Sequence, residues 1–371
     1  MRILHFFKTA LPDSRGGMEQ VIDQLARGAS QRGHAVDVLA LGDTSAPARA
    51  ERDGYVLHRV RRDFEIASTG FSLRAFRRFR QLAKCADVIH YHFPWPFADV
   101  VHFVTRAGKP TVLTYHSDVI RQKCLMHLYR PLKRRFLASM DAIVATSPNY
   151  LASSDVLQRF ADKVTVIPIG IDRQTYATPS ATTLDFWRAE LPPRFLLFVG
   201  VLRYYKGLQV LLEAAAGTGI PVVIVGSGPI EREIKAQAAR LNLAHVRFLG
   251  FLSEVDKAAV LELCSVVTFP SHLRSEAFGI SLLEGAMFGK PMISSQIGTG
   301  TSFVNIDGET GIVVPPSDPV ALRAAMIRLW NDPEQAAAMG RRAEARYRAL
   351  FTLEPMVQAY LDLYARVAAR S

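Results

Sequence analysis

Cysteine is scarce: Cys85, Cys124 and Cys264 are the only three in 371 residues. They are too few and too far apart for a disulfide framework or a thiolate metal site, and they fit a reducing, cytoplasmic home. No apolar run approaches the roughly 20 residues needed to span a bilayer, and the apolar stretch after Met1 is too short for a signal peptide. Any membrane contact is therefore expected to be peripheral, at the inner face of the cytoplasmic membrane. Internal repeats and low-complexity tracts are missing as well. Zinc-finger spacing and RNP-like aromatic motifs are also absent, which argues against nucleic acid as the partner of a basic chain.

Acid is short in only one half. Residues 1–172 hold 25 Lys and Arg against 16 Asp and Glu, whereas the remainder holds 20 against 18, so nearly all of the net +11 belongs to the first half. Two segments concentrate it, 73–84 and 121–137. In the first, Leu73, Phe76, Phe79 and Ala83 recur at helical spacing with arginines between them. An interfacial helix on anionic lipid has this pattern, and so does an ordinary surface helix with solvated arginines.

A chain of this length, 49% hydrophobic, exceeds one ordinary core and fits two domains. Short aliphatic runs at 2–7, 35–41, 56–60, 88–92, 111–115, 142–146 and 164–167 alternate with helical stretches such as 18–32 and 73–83. The alternation restarts at 195–200, 221–225, 246–249, 266–269, 291–294 and 311–313, with helices such as 207–216 and 229–241. Such βα alternation predicts an α/β architecture of two parallel, doubly wound, Rossmann-like domains facing across a crevice. The expected boundaries are 1–172 for the first domain, 173–194 for a Pro- and Thr-containing linker, and 195–354 for the second. A terminal helix at about 355–371 is expected to pack back on the first domain. Closure of the two about the linker is expected on ligand binding.

Ligands of such folds bind at the carboxyl ends of the strands, so the loops after strands carry the candidates. After the first strand, Gly16 and Gly17 open a helix whose N-terminal N–H groups suit an anion, although a flexible turn reads the same way. His116 and Asp118 follow the strand at 111–115; His116 could donate to a sugar or phosphate oxygen and Asp118 could accept from an acceptor hydroxyl. The run His90-Tyr-His-Phe-Pro-Trp-Pro-Phe97 mixes rings on which sugars stack, Trp95 among them. His90 and His92 share one strand face, but two histidines without a third ligand do not predict a metal site.

In the second half Arg203 and Lys206 leave a strand for a loop before a helix, where cations are disfavoured unless an anion such as a diphosphate answers them. The stretch Pro270-Ser-His-Leu-Arg-Ser-Glu-Ala-Phe-Gly-Ile-Ser-Leu-Leu-Glu284 places Glu276 before a helix start at Phe278, Gly279 and Ile280, with Glu284 beyond the first turn. The helix N–H groups suit a phosphate, Glu284 suits ribose hydroxyls, and Glu276 suits a donor sugar.

Together Arg203, Lys206, Gly226-Ser-Gly-Pro229 and the Glu276/Glu284 pair resemble the donor site of the GT4 family of retaining glycosyltransferases, of GT-B fold. Gly16-Gly17, His116, Pro168-Ile-Gly-Ile-Asp172 and Asp307-Gly-Glu-Thr-Gly311 fall in the family's order, so the resemblance spans essentially the whole chain. It implies catalytic roles for His116, Glu276, Arg203 and Lys206. Donor binding is implied for Gly16, Gly17, Arg203, Lys206, Gly226, Gly228, Leu249, Glu276, Phe278, Gly279, Ile280 and Glu284. Acceptor binding would fall to Trp95, Asp118 and Arg121. No cofactor or metal is implied, and the chain has no Asp-x-Asp motif. The motifs around 91–97 and 114–118 are similar to mannosyl- and D-rhamnosyltransferases of bacterial O-antigen assembly, which implies a GDP-sugar donor and a polyprenyl-diphosphate-linked glycan acceptor. Readings left open are a UDP-sugar-dependent GT4 transferase, a sugar-nucleotide 2-epimerase, and a non-catalytic membrane-surface binding protein.

Overall fold

The computed structural model describes residues 1–14, 16–42, 46–66, 69–118 and 123–370, the side chains of 123–126 and 128 excepted. Arg121 lies outside the described residues. The chain divides into two compact units, Met1–Ile171 with Leu353–Ser371, and Asp172–Thr352.

The first unit begins with β1 (Arg2–Phe6), α1 (Gly17–Gln31), β2 (Ala35–Gly42), β3 (Arg49–Arg52), β4 (Tyr55–Arg61), β5 (Phe64–Ile66), β6 (Thr69–Phe71) and α2 (Leu73–Cys85). It continues through β7 (Val88–Phe93), α3 (Pro96–Thr105), β8 (Thr111–Tyr115), α4 (Lys123–Ser139), β9 (Ala142–Ala145), α5 (Pro148–Ser153), α6 (Asp155–Gln158) and β10 (Val164–Val166). Eight strands form one sheet in the order β10-β9-β8-β7-β1-β2-β4-β3, with only β3 antiparallel to its neighbour. Strand β7 is buried along its whole length, as expected of a central strand covered by helices on both faces. The winding direction changes between β1 and β7, so the loops following these two strands diverge and leave room between them.

The second unit holds α7 (Ala181–Glu190), β11 (Leu196–Val199), α8 (Leu208–Ala215), β12 (Val222–Val225), α9 (Glu231–Arg240), β13 (Val246–Gly250), α10 (Glu254–Leu263), β14 (Val266–Phe269) and α11 (Ile280–Met287). After these come β15 (Met292–Ser295), α12 (Thr301–Val304), β16 (Gly311–Val314), α13 (Pro319–Asn331) and α14 (Pro333–Leu350). Its six strands are all parallel in the order β13-β12-β11-β14-β15-β16, with the switch between β11 and β14. Leu196, Phe198, Val222 and Ile224 on the sheet pack with Leu208, Leu211 and Leu212 of α8 to build its core.

Helix α15 (Leu353–Ala368) belongs to the first unit. A Cβ on Gly28 of α1 would stand 2.6 Å from Val357 Cγ2, so the absent side chain is what lets the two helices close. Arg32 pairs with Glu354 across the same contact. The stretch 173–194, read from composition as a linker, instead counts with the second unit. It carries α7, whose Trp187 indole donates to Asp256 Oδ1 at 2.9 Å. Helix α2 turns most of its apolar stripe inward: Phe79 and Ala83 are buried, while Leu73 is 76% exposed.

Candidate functional site

The richest constellation stands at the switch point of the second unit. The loop after β11 carries exposed Arg203, then a short 3-10 turn, Tyr204–Lys206, and Gly207 in the left-handed region at φ +70°. A Cβ on Gly207 would stand 1.9 Å from the Pro270 carbonyl oxygen, so only glycine lets this loop lie against the one after β14. That approach delivers Lys206 Nζ to within 2.5 Å of Glu276 Oε2, with both side chains about nine-tenths buried. The ammonium also lies 4.7 Å from the Phe269 ring centroid. Burial first and the Glu276 charge second push the Tyr205 phenol up to about 12. Ser271 Oγ donates to the same Glu276 oxygen at 3.4 Å.

Immediately beyond Glu276, Gly279 takes φ +93° and caps α11. The N–H groups of Leu282 and Leu283 turn back to the Gly279 carbonyl at 2.9 and 3.3 Å. Those of Ile280 and Ser281 precede them in the first turn, where helix N–H groups point outward. Ser281 Oγ donates to the Val199 carbonyl at 2.8 Å, fastening this turn to the end of β11.

Glu284, one turn on, is 4% exposed. Its Oε1 accepts from Lys257 Nζ and from the Tyr176 hydroxyl, each at 3.0 Å. Burial alone would lower the Lys257 ammonium, but Glu284 and Glu254 overcome it and raise the group well above its ordinary value. A carboxylate held on one oxygen by a permanent cation is fixed in position, with its second oxygen as the remaining acceptor. The glycine loop after β12 lies alongside. Gly226 N–H donates to the Gly250 carbonyl at 2.7 Å, next to half-buried Leu249, and a Cβ on Gly226 would stand 2.0 Å from the Gly200 carbonyl. Gly228 packs as closely on Leu202.

In the first unit, Gly16 caps α1, and Glu19 folds back over it, its carboxylate accepting from Thr9 Oγ1 at 2.6 Å and Ser14 Oγ at 3.1 Å. A Cβ on Gly16 would meet Glu19 Oε2 at 2.4 Å. Where an incoming anion was expected at Gly16 and Gly17, the chain's own carboxylate therefore already stands over Gly16. His116 follows β8 and is 4% exposed, with its backbone N–H donating to the Phe93 carbonyl at 3.0 Å. Burial lowers its imidazole to about 4. Two residues on, Asp118 Oδ1 accepts from Tyr115 at 2.8 Å and Ser154 at 3.3 Å.

Residues 15–175 match Glycosyltransferase Family 4 and residues 183–346 match Glycosyl transferases group 1. The D-rhamnosyltransferase WbpZ of Pseudomonas aeruginosa is 58% identical over 95% of this chain and 92% of its own length. The chain belongs to the family 4 glycosyltransferases. A second similar protein, the O-antigen chain mannosyltransferase C of Escherichia coli, is 49% identical over 98% of both chains. The GT-B fold recurs in sucrose-phosphate synthase from Thermosynechococcus elongatus, with a TM-score of 0.83 at 24% identity and full coverage of both chains. It recurs again in Anabaena HepE, solved with UDP and glucose, with a TM-score of 0.78 at 19% identity over 99% of this chain and 100% of that one.

One expectation for this glycosyltransferase is corrected by the packing. Trp95 does not present a ring to an acceptor sugar. It is 1% exposed, lies 4.7 Å from the Phe6 ring, and donates its indole N–H to the Gly70 carbonyl at 3.2 Å. Tyr91, Phe93 and Phe97 are buried with it, so the aromatic run is core. Trp95→Ala should cost about 3 to 5 kcal/mol of stability in urea. A loss of transfer with unchanged stability would return Trp95 to the surface role.

Sequence reasoning passed over several groups. Lys257 and Tyr176 lie 27 and 108 residues from the glutamate they hold. His272 sits beside Gly207 with its Nδ1 buried and without a hydrogen-bond partner among the described residues. His5, on β1, completes a buried group with His90 and His92. Sequence patterns had paired only the two histidines that share a strand.

Proposed function

We propose that this glycosyltransferase moves D-rhamnose or D-mannose from a GDP-sugar onto a lipid-linked glycan, with retention of configuration and without a metal or other cofactor. The observation that carries the reading is the cation and carboxylate, Lys206 and Glu276, set together at the β11/β14 switch point above the start of α11. In this reading Arg203, Lys206 and the first N–H groups of α11 hold the diphosphate, Glu284 holds the ribose through its second oxygen, and Glu276 meets the sugar hydroxyls. The glycines at 226 and 228 let backbone approach the nucleotide. His116 is assigned a part in the transfer step, and Asp118 with Arg121 a part in acceptor binding. The bond from the anomeric carbon to the diphosphate breaks as the bond to the acceptor oxygen forms on the same face, and the departing phosphate oxygen takes the acceptor proton. Charge growing on the leaving group is met by Arg203 and Lys206. The names of the two relatives at 58% and 49% identity support the choice of sugar and pathway.

A lipid-linked acceptor asks for contact with an anionic membrane, and no helix among the described residues is long and apolar enough to cross one. Support for peripheral contact comes from the hairpin of β5 and β6. Phe64 is 52% and Ile66 58% exposed, and Leu73 follows with its N–H on Asp63 Oδ2. Arg62, Arg74 and Arg77 neighbour them in sequence, a mix suited to an interfacial anchor.

Thermal unfolding with GDP, UDP and a panel of their sugars tests the donor. A GDP-sugar at 100 times its Kd should stabilise the protein by about 2.7 kcal/mol and raise Tm by a few degrees. A rise with UDP-sugars and none with GDP or its sugars would sink the GDP assignment.

A further inference from the structure

Behind His116 stands a row of imidazoles. His116 Nε2 lies 3.1 Å from His92 Nδ1, and His92 Nε2 lies 3.1 Å from His5 Nδ1. The rings come from β8, β7 and β1, and consecutive pairs are stacked at centroid distances of 5.3 and 5.4 Å. The far end, His5 Nε2, is buried with no hydrogen-bond partner among the described residues. We infer that His5 and His92 are positioning residues: through this chain they hold His116 with its proton on Nδ1, so that it meets the substrate as a hydrogen-bond donor. The inference rests on His116 facing the substrate, as proposed above.

The argument is one of proton counting. A neutral imidazole has one N–H and one lone pair, and burial keeps these rings neutral, lowering His5 to about 3 and His92 well below its ordinary value. Each of the two hydrogen bonds needs one proton, so the chain has only two consistent arrangements. If every ring carries its proton on Nε2, His116 donates to His92, His92 donates to His5, and an N–H is stranded at His5 Nε2. If every ring carries it on Nδ1, the bonds run the other way and only a lone pair is stranded there. Orphaned buried N–H groups are rarer in proteins than under-satisfied acceptors, so the second arrangement wins. It leaves Nδ1–H of His116, outside the chain, for a ligand oxygen.

His5, His90 and His92 also place nitrogens within 4.8 Å of one another, close enough for one metal ion. His90 argues against that use. Its Nε2 is 2.7 Å from Thr114 Oγ1 and its Nδ1 is 2.7 Å from the Tyr364 hydroxyl, so both nitrogens are engaged. Thr114 is held in turn by Tyr360 at 2.8 Å.

The test is 15N NMR of the full chain labelled in histidine, whose imidazole shifts distinguish the two tautomers. Wild type should show His5, His92 and His116 all protonated on Nδ1. His5→Met, whose thioether can accept but not donate, should draw Nε2–H from His92 and hence from His116, and lower kcat about tenfold, with KM for the nucleotide sugar within about twofold. His5→Asn, whose amide nitrogen falls about where Nδ1 lies, should restore the tautomer and kcat to within about threefold of wild type. Nε2–H on the wild-type rings overturns the inference, as does a fall in kcat in His5→Met with the His116 tautomer unchanged. Stoichiometric zinc in the isolated protein, with ring signals that move on chelation, also overturns it in favour of a metal site. If His5→Met does not fold, the wild-type spectrum and His5→Asn still decide. Undiminished transfer by His116→Ala would instead defeat the placement of His116 at the substrate, leaving the spectra to judge the chain.

Discussion

Glu276→Ala should lower kcat/KM for transfer by about a thousandfold, the scale expected when a positioned polar group at a reaction centre is removed. It should also cost stability, because the glutamate is not a bystander in the fold. Its carboxylate holds Lys206 at 2.5 Å in a site where both side chains are nearly buried, and removal strands an ammonium over Phe269. A fully buried pair broken on one side loses about 3 to 5 kcal/mol. The exposed edges here bring the expected loss to about 2 to 3 kcal/mol. The double variant Glu276→Ala/Lys206→Ala separates the two roles. With neither charge left unpaired, stability should return to within about 1 kcal/mol of wild type, while activity stays lost because both sugar and diphosphate contacts are gone. Urea unfolding and a transfer assay on all four proteins complete the cycle. Activity returning in the double variant would make the pair a structural device and move the sugar-binding role elsewhere.

The parts of this molecule legible in the sequence are those governed by short-range pattern. Aliphatic runs located the strands of both parallel sheets to within a residue or two, because a strand buried on both faces must be apolar nearly throughout. The edge elements escaped for the converse reason. Arg49–Arg52 is short, charged and half exposed, Phe64–Ile66 is three exposed residues, and Thr69–Phe71 is three residues with Gly70 alone buried, so none is long enough for a burial pattern to mark it. Composition misread 173–194, since Pro and Thr suit a linker, yet the same stretch holds Ala181–Glu190 with Ser180 as its N-cap. At the site, Lys206 and Glu276 stood out individually as polar groups in post-strand loops. Their contact depends on Gly207 meeting Pro270 across two strands, which no local pattern encodes. Trp95 erred the other way: an aromatic after a strand looks like a sugar platform until Phe6, far off in sequence, is seen to pack on it.

As pH falls from 6.5 to about 4, the first unit should lose stability steeply. Burial holds His5 near 3 and His116 near 4, and drives His90 and His92 well down, burial again being the main cause. The phenols facing them from α15, Tyr360 and Tyr364, are raised by burial and stay neutral throughout this range. Unfolded histidines titrate near 6.5, so below that pH unfolding takes up four protons that the native unit refuses. The stability from keeping these rings neutral is present above 6.5 and disappears as the solution becomes acid. Asp99 works in the opposite direction. Burial raises it to about 8, against a hydrogen bond from Tyr129 that favours its charged form. Its contribution is complete below about 4 and is lost as pH rises through 8. Between 4 and 6.5 unfolding thus binds four protons and releases one, a net of about three, or about 4 kcal/mol per pH unit. Against a total of roughly 5 to 15 kcal/mol for a domain, this should unfold the unit near pH 5. Hydrogen exchange of β1, β7 and β8 peptides along urea titrations, corrected for intrinsic exchange rates, would follow it. Asp99→Asn should stabilise most at pH 8 and least at pH 4. Equal urea midpoints at pH 7 and pH 5 would mean that the imidazoles are already charged in the folded protein, and the polarity of the chain ending at His116 would have to be drawn again.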